Sequence, residues 1–166
     1  MQSSFQDIFY ELIEENKGQI LRICHAYSRD SDEKKDLFQE VMIAIWKSLP
    51  SFEGRASAST WIYRITLNTC MRSRLKLDRH QTNHIKLSSV HFDTIPEKGD
   101  DQKEKQILLA RMHTCIQQLK DTEKNIVILF LEEIHYKEIA SITGVTENYV
   151  AVHMKRIKGK LLTCLK

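Results

Sequence analysis

Apolar residues recur along this chain at intervals of three and four, with polar residues between them. Ile8, Leu12, Ile20, Leu21 and Cys24 follow that spacing and predict one or two amphipathic helices over 5–27. The polar stretch SRDSDEKKD (28–36) predicts a turn, with Asp32 as N-cap of the next helix. That helix should present Phe38, Val41, Met42, Ile45 and Leu49 inward and stop at Pro50, because the residue before a proline resists helical angles. FEGRASAS (52–59) reads as a loop, followed by a helix from Ser59 or Thr60 to about Lys76. Residues 79–106 are polar and weakly patterned, contain Pro96 and Gly99, and read mostly as linker. Further helices are predicted over 106–119, from a cap at Asp121 or Thr122 to near Glu133, over 136–142 and over 147–163. No internal repeat is visible. The expectation is an all-α fold of two small helical domains, 1–78 and 107–166, joined by a flexible linker at 79–106.

Composition supports this picture. The 166 residues include only 5 glycines and 2 prolines, too few for a turn-rich β fold. The apolar runs Val41 to Trp46 and Ile126 to Leu131 are six residues each, whereas a membrane-spanning helix needs about 20. The opening MQSSFQDIFYELIEE lacks the basic-then-apolar order of a secretory signal. Cys24, Cys70, Cys115 and Cys164 are far apart with no CxxC, so neither a disulfide framework nor a zinc finger is expected. A reduced cytoplasmic protein without membrane insertion is expected.

Charge changes the picture more. The net charge is only +3, but residues 47–84 hold seven basic and two acidic residues, and residues 1–46 hold five basic and nine acidic. A second basic excess lies after Val150. Two separate basic patches in a nearly neutral chain suit a polyanion, although charge runs are often only solvated helix faces.

The segment YKEIASITGVTENYVAVHMKRIKGKL (136–161) has the order of a helix-turn-helix. Ile139 and Ile142 give its first helix an apolar face, Ala140 is small where helices approach, and Gly144 suits a positive φ in the turn. Thr146 can cap the second helix, whose Val150, Met154, Ile157 and Leu161 form an inward stripe. The opposite face carries Asn148, Tyr149, Ala151, Val152, His153, Lys155, Arg156 and Lys158, a front suited to a major groove. The alternative is a helical hairpin with a solvated basic face.

In DLFQEVMIAIW (36–46), Asp36, Gln39, Glu40 and Ile43 face away from the apolar stripe and could dock a partner helix. In STWIYRITLNTCMRSRLK (59–76), Arg64, Asn68, Arg72 and Lys76 are spaced four apart, making a basic stripe that should be exposed. Trp61 and Tyr63 lie at its start, beside the small-residue loop. Cations can track a strand backbone while aromatic faces stack on unpaired bases. Trp61 is expected to be only partly exposed, since tryptophan is usually largely buried.

DLFQEVMIAIWKSLPSFEGRASASTWIYRITLNT together with LKDTEKNIVILFLEEIHYKEIASITGVTENYVAVHMKRIKGKL resembles the sigma-70 family of bacterial transcription initiation factors, in its extracytoplasmic-function (ECF) branch. The resemblance spans the chain except residues 79–106. It implies no enzyme activity, no cofactor and no metal. It implies a first domain, 1–78, that binds the beta-prime clamp of core RNA polymerase through Asp36, Gln39, Glu40 and Ile43. The same domain would open the minus-ten element through Ser57, Ser59, Thr60, Trp61, Tyr63, Arg64, Asn68 and Arg72. It implies a second domain, 107–166, that meets the beta flap and reads the minus-thirty-five element of promoter DNA. The reading residues would be Thr146, Glu147, Asn148, Tyr149, Ala151, Val152, His153, Lys155 and Arg156. An anti-sigma factor is a further implied partner. Two departures stand out: Ala58 and Ser59 replace an aromatic and a basic residue of many relatives, and Ala151 and Val152 replace arginine or serine. Alanine and valine cannot donate to guanine but can touch a thymine methyl. The linker 80–105 would reach at most roughly 90 Å when extended, enough to tether two DNA readers.

Two other classes are weighed. An enzyme or zinc site could be sought in His80, His84 and His91, but Gln81 stands where a metalloprotease helix has glutamate. A stand-alone helix-turn-helix regulator would explain 136–161 but not the tryptophan-bearing basic helix.

Overall fold

The computed structural model describes residues 3–81 and 100–166. Among them are seven α-helices, one 3-10 turn and no strand. Helix α1 is Ser3–Tyr27, α2 Ser31–Ser48, α3 Ala58–Gln81, α4 Asp100–Gln117, α5 Asp121–Leu131, α6 Tyr136–Thr143 and α7 Glu147–Leu165. No helix of the described residues is long and apolar enough to cross a membrane.

The helix ends correct several expectations. Asp30, not Asp32, caps α2: its extended backbone lets its carboxylate accept from the Glu33 N–H at 2.8 Å. Asp32 lies in the first turn, where its charge still complements the helix dipole. The helix does stop before Pro50, but Leu49 keeps helical angles (φ −56°, ψ −41°) and leads into the 3-10 turn Leu49–Ser51, which carries the proline in its first positions. Helix α3 starts at Ala58, after Ser57, whose hydroxyl accepts from the Thr60 N–H at 3.2 Å, and it outruns Lys76. Asp121 and Thr122 lie inside the first turn of α5. Lys120 precedes that turn, and its N–H donates to the Glu123 carboxylate at 3.4 Å.

The expected linker is helical at both margins, since α3 continues to Gln81 and α4 begins at Asp100; residues 82–99 lie outside the described residues. The first turns of α4 are built from Asp, Gln, Lys and Glu. Propensity can hold such residues in a helix, but no apolar stripe announces them.

Helices α1, α2 and α3 close around Ile20, Ile23, Cys24, Val41, Ile45, Ile62, Leu67 and Cys70. Phe38 and Met42 are only half-buried, while Leu37 is buried, so the inward face of α2 is rotated toward Leu37. Helices α5, α6 and α7 pack together, and α4 packs on α7, around Ile126, Leu129, Ile139, Val150, Met154 and Ile157. Gly144 adopts φ +75° and its N–H closes α6 onto the Ala140 carbonyl at 2.9 Å.

One cysteine expectation fails. Cys115 of α4 and Cys164 of α7 form a disulfide across 49 residues of chain. Sequence spacing could not show this, because only the packing of α4 on α7 brings the two together. Cys24 and Cys70 are buried as free thiols, and the Cys70 thiol is pushed up by its hydrogen bond with Cys24 and by burial.

The two helical bodies also touch. The Tyr27 hydroxyl donates to the Asn125 side-chain oxygen, and Lys124 lies over the Tyr27 ring, 5.0 Å from its centroid. Gln117 donates to the carbonyls of Ala26 and Ser28 and accepts from Arg74 at 2.9 Å. The His25 and His113 rings pack at 4.6 Å, and burial, then His113 and Lys34, hold His25 below its ordinary value.

Candidate nucleic-acid interface

The turn at Gly144 and the cap at Thr146 aim the start of α7. The Thr146 hydroxyl accepts from the Tyr149 N–H at 3.1 Å. Val150, Met154, Ile157 and Leu161 are buried, which forces the other face outward. Glu147, Asn148, Ala151, Val152, Lys155 and Arg156 are exposed on or beside that face. Tyr149 and His153 differ from the expectation of an open front. Both are half-buried, their rings stack at 3.7 Å with 14° between planes, and His153 Nδ1 lies 3.1 Å from the Tyr149 carbonyl. They form a stacked ledge beside the exposed residues, not two free side chains.

On α3 the outcome is divided. Asn68 and Arg72 are exposed, and Arg72 Nε donates to the Asn68 carbonyl at 3.3 Å. Trp61 is half-buried and stacks on Phe52 at 4.7 Å, matching the expectation of partial exposure. Ser57 and Ser59 are exposed, and Ala58 is half-buried. Thr60, Tyr63 and Arg64 are not open. Thr60 is 6% exposed; its hydroxyl accepts from Ser57 at 2.8 Å and donates to Glu138 Oε1 at 2.9 Å. Tyr63 is 7% exposed, and burial, then the charge of Glu132, push its hydroxyl up. Arg64 is half-buried, and it donates to the Ser141 carbonyl at 2.7 Å and hydroxyl at 3.2 Å. For Thr60 and Arg64 the reason is that α6 packs against this part of α3; Tyr63 is buried as part of the apolar core. Arg74, one of the cations counted in the basic patch, points to the body interface at Gln117 and Tyr27.

Asp36, Gln39, Glu40 and Ile43 are all exposed on α2. Ile43 is 53% exposed, and Trp46, not foreseen as a surface residue, is 44% exposed with its ring edge-on to Phe9 at 5.1 Å. Its position three residues after Ile43 was the available signal. Gln39 also lines a cleft of ≈340 Å³ with Leu21, Ser31, Lys34, Lys35 and Phe38.

The side chains of His80, Gln81, His84 and His91 lie outside the described residues. Among the described residues no group of three or more His, Cys, Asp or Glu could hold a metal ion.

Comparison with known proteins covers both halves. Residues 12–80 match the family model described as Sigma-70 region 2, and residues 109–161 match Sigma-70, region 4. RNA polymerase sigma factor YlaC of Bacillus subtilis is 23% identical over 159 residues, covering 95% of this chain and 90% of that protein. ECF RNA polymerase sigma factor SigW of the same organism is 26% identical over 161 residues, covering 91% and 85%. Two solved structures share the fold. CnrH, in complex with the cytosolic domain of CnrY, has a TM-score of 0.70 at 17% identity and covers 96% of this chain and 88% of its own. Sigma factor RpoE, in complex with the anti-sigma factor NepR from Bartonella quintana, has a TM-score of 0.70 at 19% identity and covers 93% and 96%.

Proposed function

The chain belongs to the sigma-70 family as an ECF RNA polymerase sigma factor, and from that premise we propose how its two bodies divide promoter recognition. Residues 1–78 dock on the beta-prime clamp of the core polymerase through Asp36, Gln39, Glu40 and Ile43. They then separate the minus-ten strands with Ser57, Ser59, Thr60, Trp61, Tyr63, Arg64, Asn68 and Arg72. Residues 107–166 meet the beta flap and read the minus-thirty-five element with the start of α7, Thr146 to Arg156. Residues 79–106 tether the two. The polymerase performs the chemistry; this chain supplies position and specificity. Because the polymerase and the chromosome are cytoplasmic, so is the proposed site of action. CnrH and RpoE are held by CnrY and NepR, and an anti-sigma partner is proposed here on that likeness. The stand-alone regulator is set aside because residues 12–80 match sigma-70 region 2.

The observation that carries this reading is the pair of exposed polar-basic faces on separate bodies, Asn68 with Arg72 on α3 and Asn148 with Lys155 and Arg156 on α7. Run-off transcription with purified core polymerase tests it. Arg72→Ala should reduce promoter use several-fold and lower the salt slope of DNA binding by about one, as expected for one lost phosphate contact. Its thermal midpoint should stay put, since the side chain is exposed. If the chain does not associate with core polymerase, the reading fails. Ala151→Ser and Val152→Ser should each change the minus-thirty-five base preference at one position, measured by a full base-substitution profile, because a methyl contact is exchanged for a hydrogen-bonding hydroxyl.

A further inference from the structure

The disulfide between Cys115 and Cys164 has one sheltered end and one open end: Cys115 is 5% exposed, whereas Cys164 is exposed on the last turn of α7. We propose that this pair is a reversible thiol–disulfide exchange site for carboxylate-bearing low-molecular-weight thiols of the glutathione class. Cys164 is the sulfur attacked, Cys115 is the leaving group and Arg111 is the positioning residue.

In opening, the small thiolate attacks Cys164 Sγ and forms a mixed disulfide there. The bond to Cys115 breaks, and the Cys115 sulfur takes the electron pair and then a proton from water. A second thiolate attacks the small-molecule sulfur of the mixed disulfide. The products are the small-molecule disulfide and a Cys164 thiolate, which takes a proton in turn. Two molecules of thiol are oxidised to one disulfide while the chain disulfide is reduced to two thiols, and closing runs the same steps backwards. Access selects the sulfur attacked: a thiol in water can line up behind Cys164 but not behind the buried Cys115.

Arg111 stands one turn before Cys115 on α4, and its guanidinium donates to the carbonyl of Leu165, the residue after Cys164. That hydrogen bond pins an exposed cation beside the disulfide, where it draws a carboxylate-bearing thiol and favours the departing thiolate. Lys166, two residues beyond Cys164, is also exposed, whereas Lys160, one turn before Cys164, is held by Glu123 at 2.5 Å. The neutral Gln118 side chain places its oxygen 3.8 Å from Cys164 Sγ. Cys24 and Cys70 provide the contrast. Both are 0% exposed, and the hydrogen bond with Cys24, then burial, push the Cys70 thiol up. The folded chain offers neither sulfur to a soluble thiol. The closed bond joins α7 to α4 at the end of α7 opposite its proposed reading residues. Redox poise therefore reaches the stability of the helix-turn-helix body without altering any residue of the reading face.

The test uses the full-length chain, folded and well below its thermal midpoint, in glutathione buffers of graded thiol-to-disulfide ratio. Samples are quenched with acid, alkylated and mapped by mass. The oxidised fraction should follow the ratio to the same midpoint from either direction. The mixed disulfide trapped during opening should map to Cys164, and Cys24 and Cys70 should alkylate only after denaturant is added. Arg111→Gln should slow opening by glutathione about threefold relative to opening by neutral mercaptoethanol, the size of one exposed charge interaction. Arg111→Lys should restore most of that difference, whereas a merely structural arginine would change both thiols alike. Three results overturn the exchange site: a mixed disulfide on Cys115, opening only at the rate of global unfolding, or free thiols at Cys115 and Cys164 at the most oxidising ratio. Equal slowing with both thiols overturns the role of Arg111. The exchange needs neither DNA nor polymerase, so its failure leaves the sigma-factor reading to stand or fall on run-off transcription.

Discussion

Val150→Asp should unfold the helix-turn-helix and abolish minus-thirty-five-dependent transcription. Val150 is 0% exposed and belongs to the same core as Ile139, Met154 and Ile157, each at most 1% exposed. It lies in the first turn of α7, just after the Thr146 cap, so the strand of contacts that fixes the recognition helix starts there. A carboxylate at this position has neither water nor a cation among those apolar neighbours, and burying an unpaired charge costs several kcal/mol. With total stability of about 5–15 kcal/mol for an ordinary domain, a loss of about 4 kcal/mol or more removes the fold of a small helical body at physiological temperature. Thermal unfolding by circular dichroism should show loss of the helical signal of α5–α7, and run-off transcription should fall to background. Val150→Ala is the graded control, costing about 1–2.5 kcal/mol by truncation alone. An aspartate variant melting with wild type would mean that Val150 reaches water and that α7 is not packed through this face.

What the sequence disclosed, and what it withheld, follows the range of the forces involved. Val150, Met154, Ile157 and Leu161 were legible because a helix with one buried face writes its period into the chain. Gly144 and Thr146 were legible because their roles depend on their own backbone and hydroxyl, within a few residues. The Asp30 cap was misplaced by two residues, since two aspartates compete in the same polar stretch and only backbone angles decide. The start of α4 was missed because its first turns are charged all round. The covering of Thr60, Tyr63 and Arg64 was not legible at all. The partners of Thr60 and Arg64, Glu138 and Ser141, lie more than seventy residues away, and nothing local in α3 marks them as covered. The stacked pair of Tyr149 and His153 could have been suspected from its spacing of four, which places two rings on one helix face.

Opening the disulfide should have the second large effect. The bond between Cys115 and Cys164 ties the last turn of α7 to α4 and closes a loop of 49 residues. By chain entropy, a loop of that length contributes about 4 kcal/mol relative to the reduced chain. For a small helical body that melts on its own, that is roughly a 20 °C change in thermal midpoint. Cys164 is exposed, so Cys164→Ser removes the bond with little loss of packing, whereas Cys115 is 5% exposed and would confound the result. Calorimetry should show the reduced chain and the Cys164→Ser chain melting together, both well below the oxidised chain, and only the wild type should respond to reductant. A reducing compartment holds such thiols open, so the oxidised and reduced midpoints bracket the stability of the helix-turn-helix across redox conditions. If the oxidised and reduced chains melt at the same temperature with the bond verified by mass, then α4 and α7 are held by their apolar contacts alone, and the loop entropy is offset by structure retained in the unfolded chain.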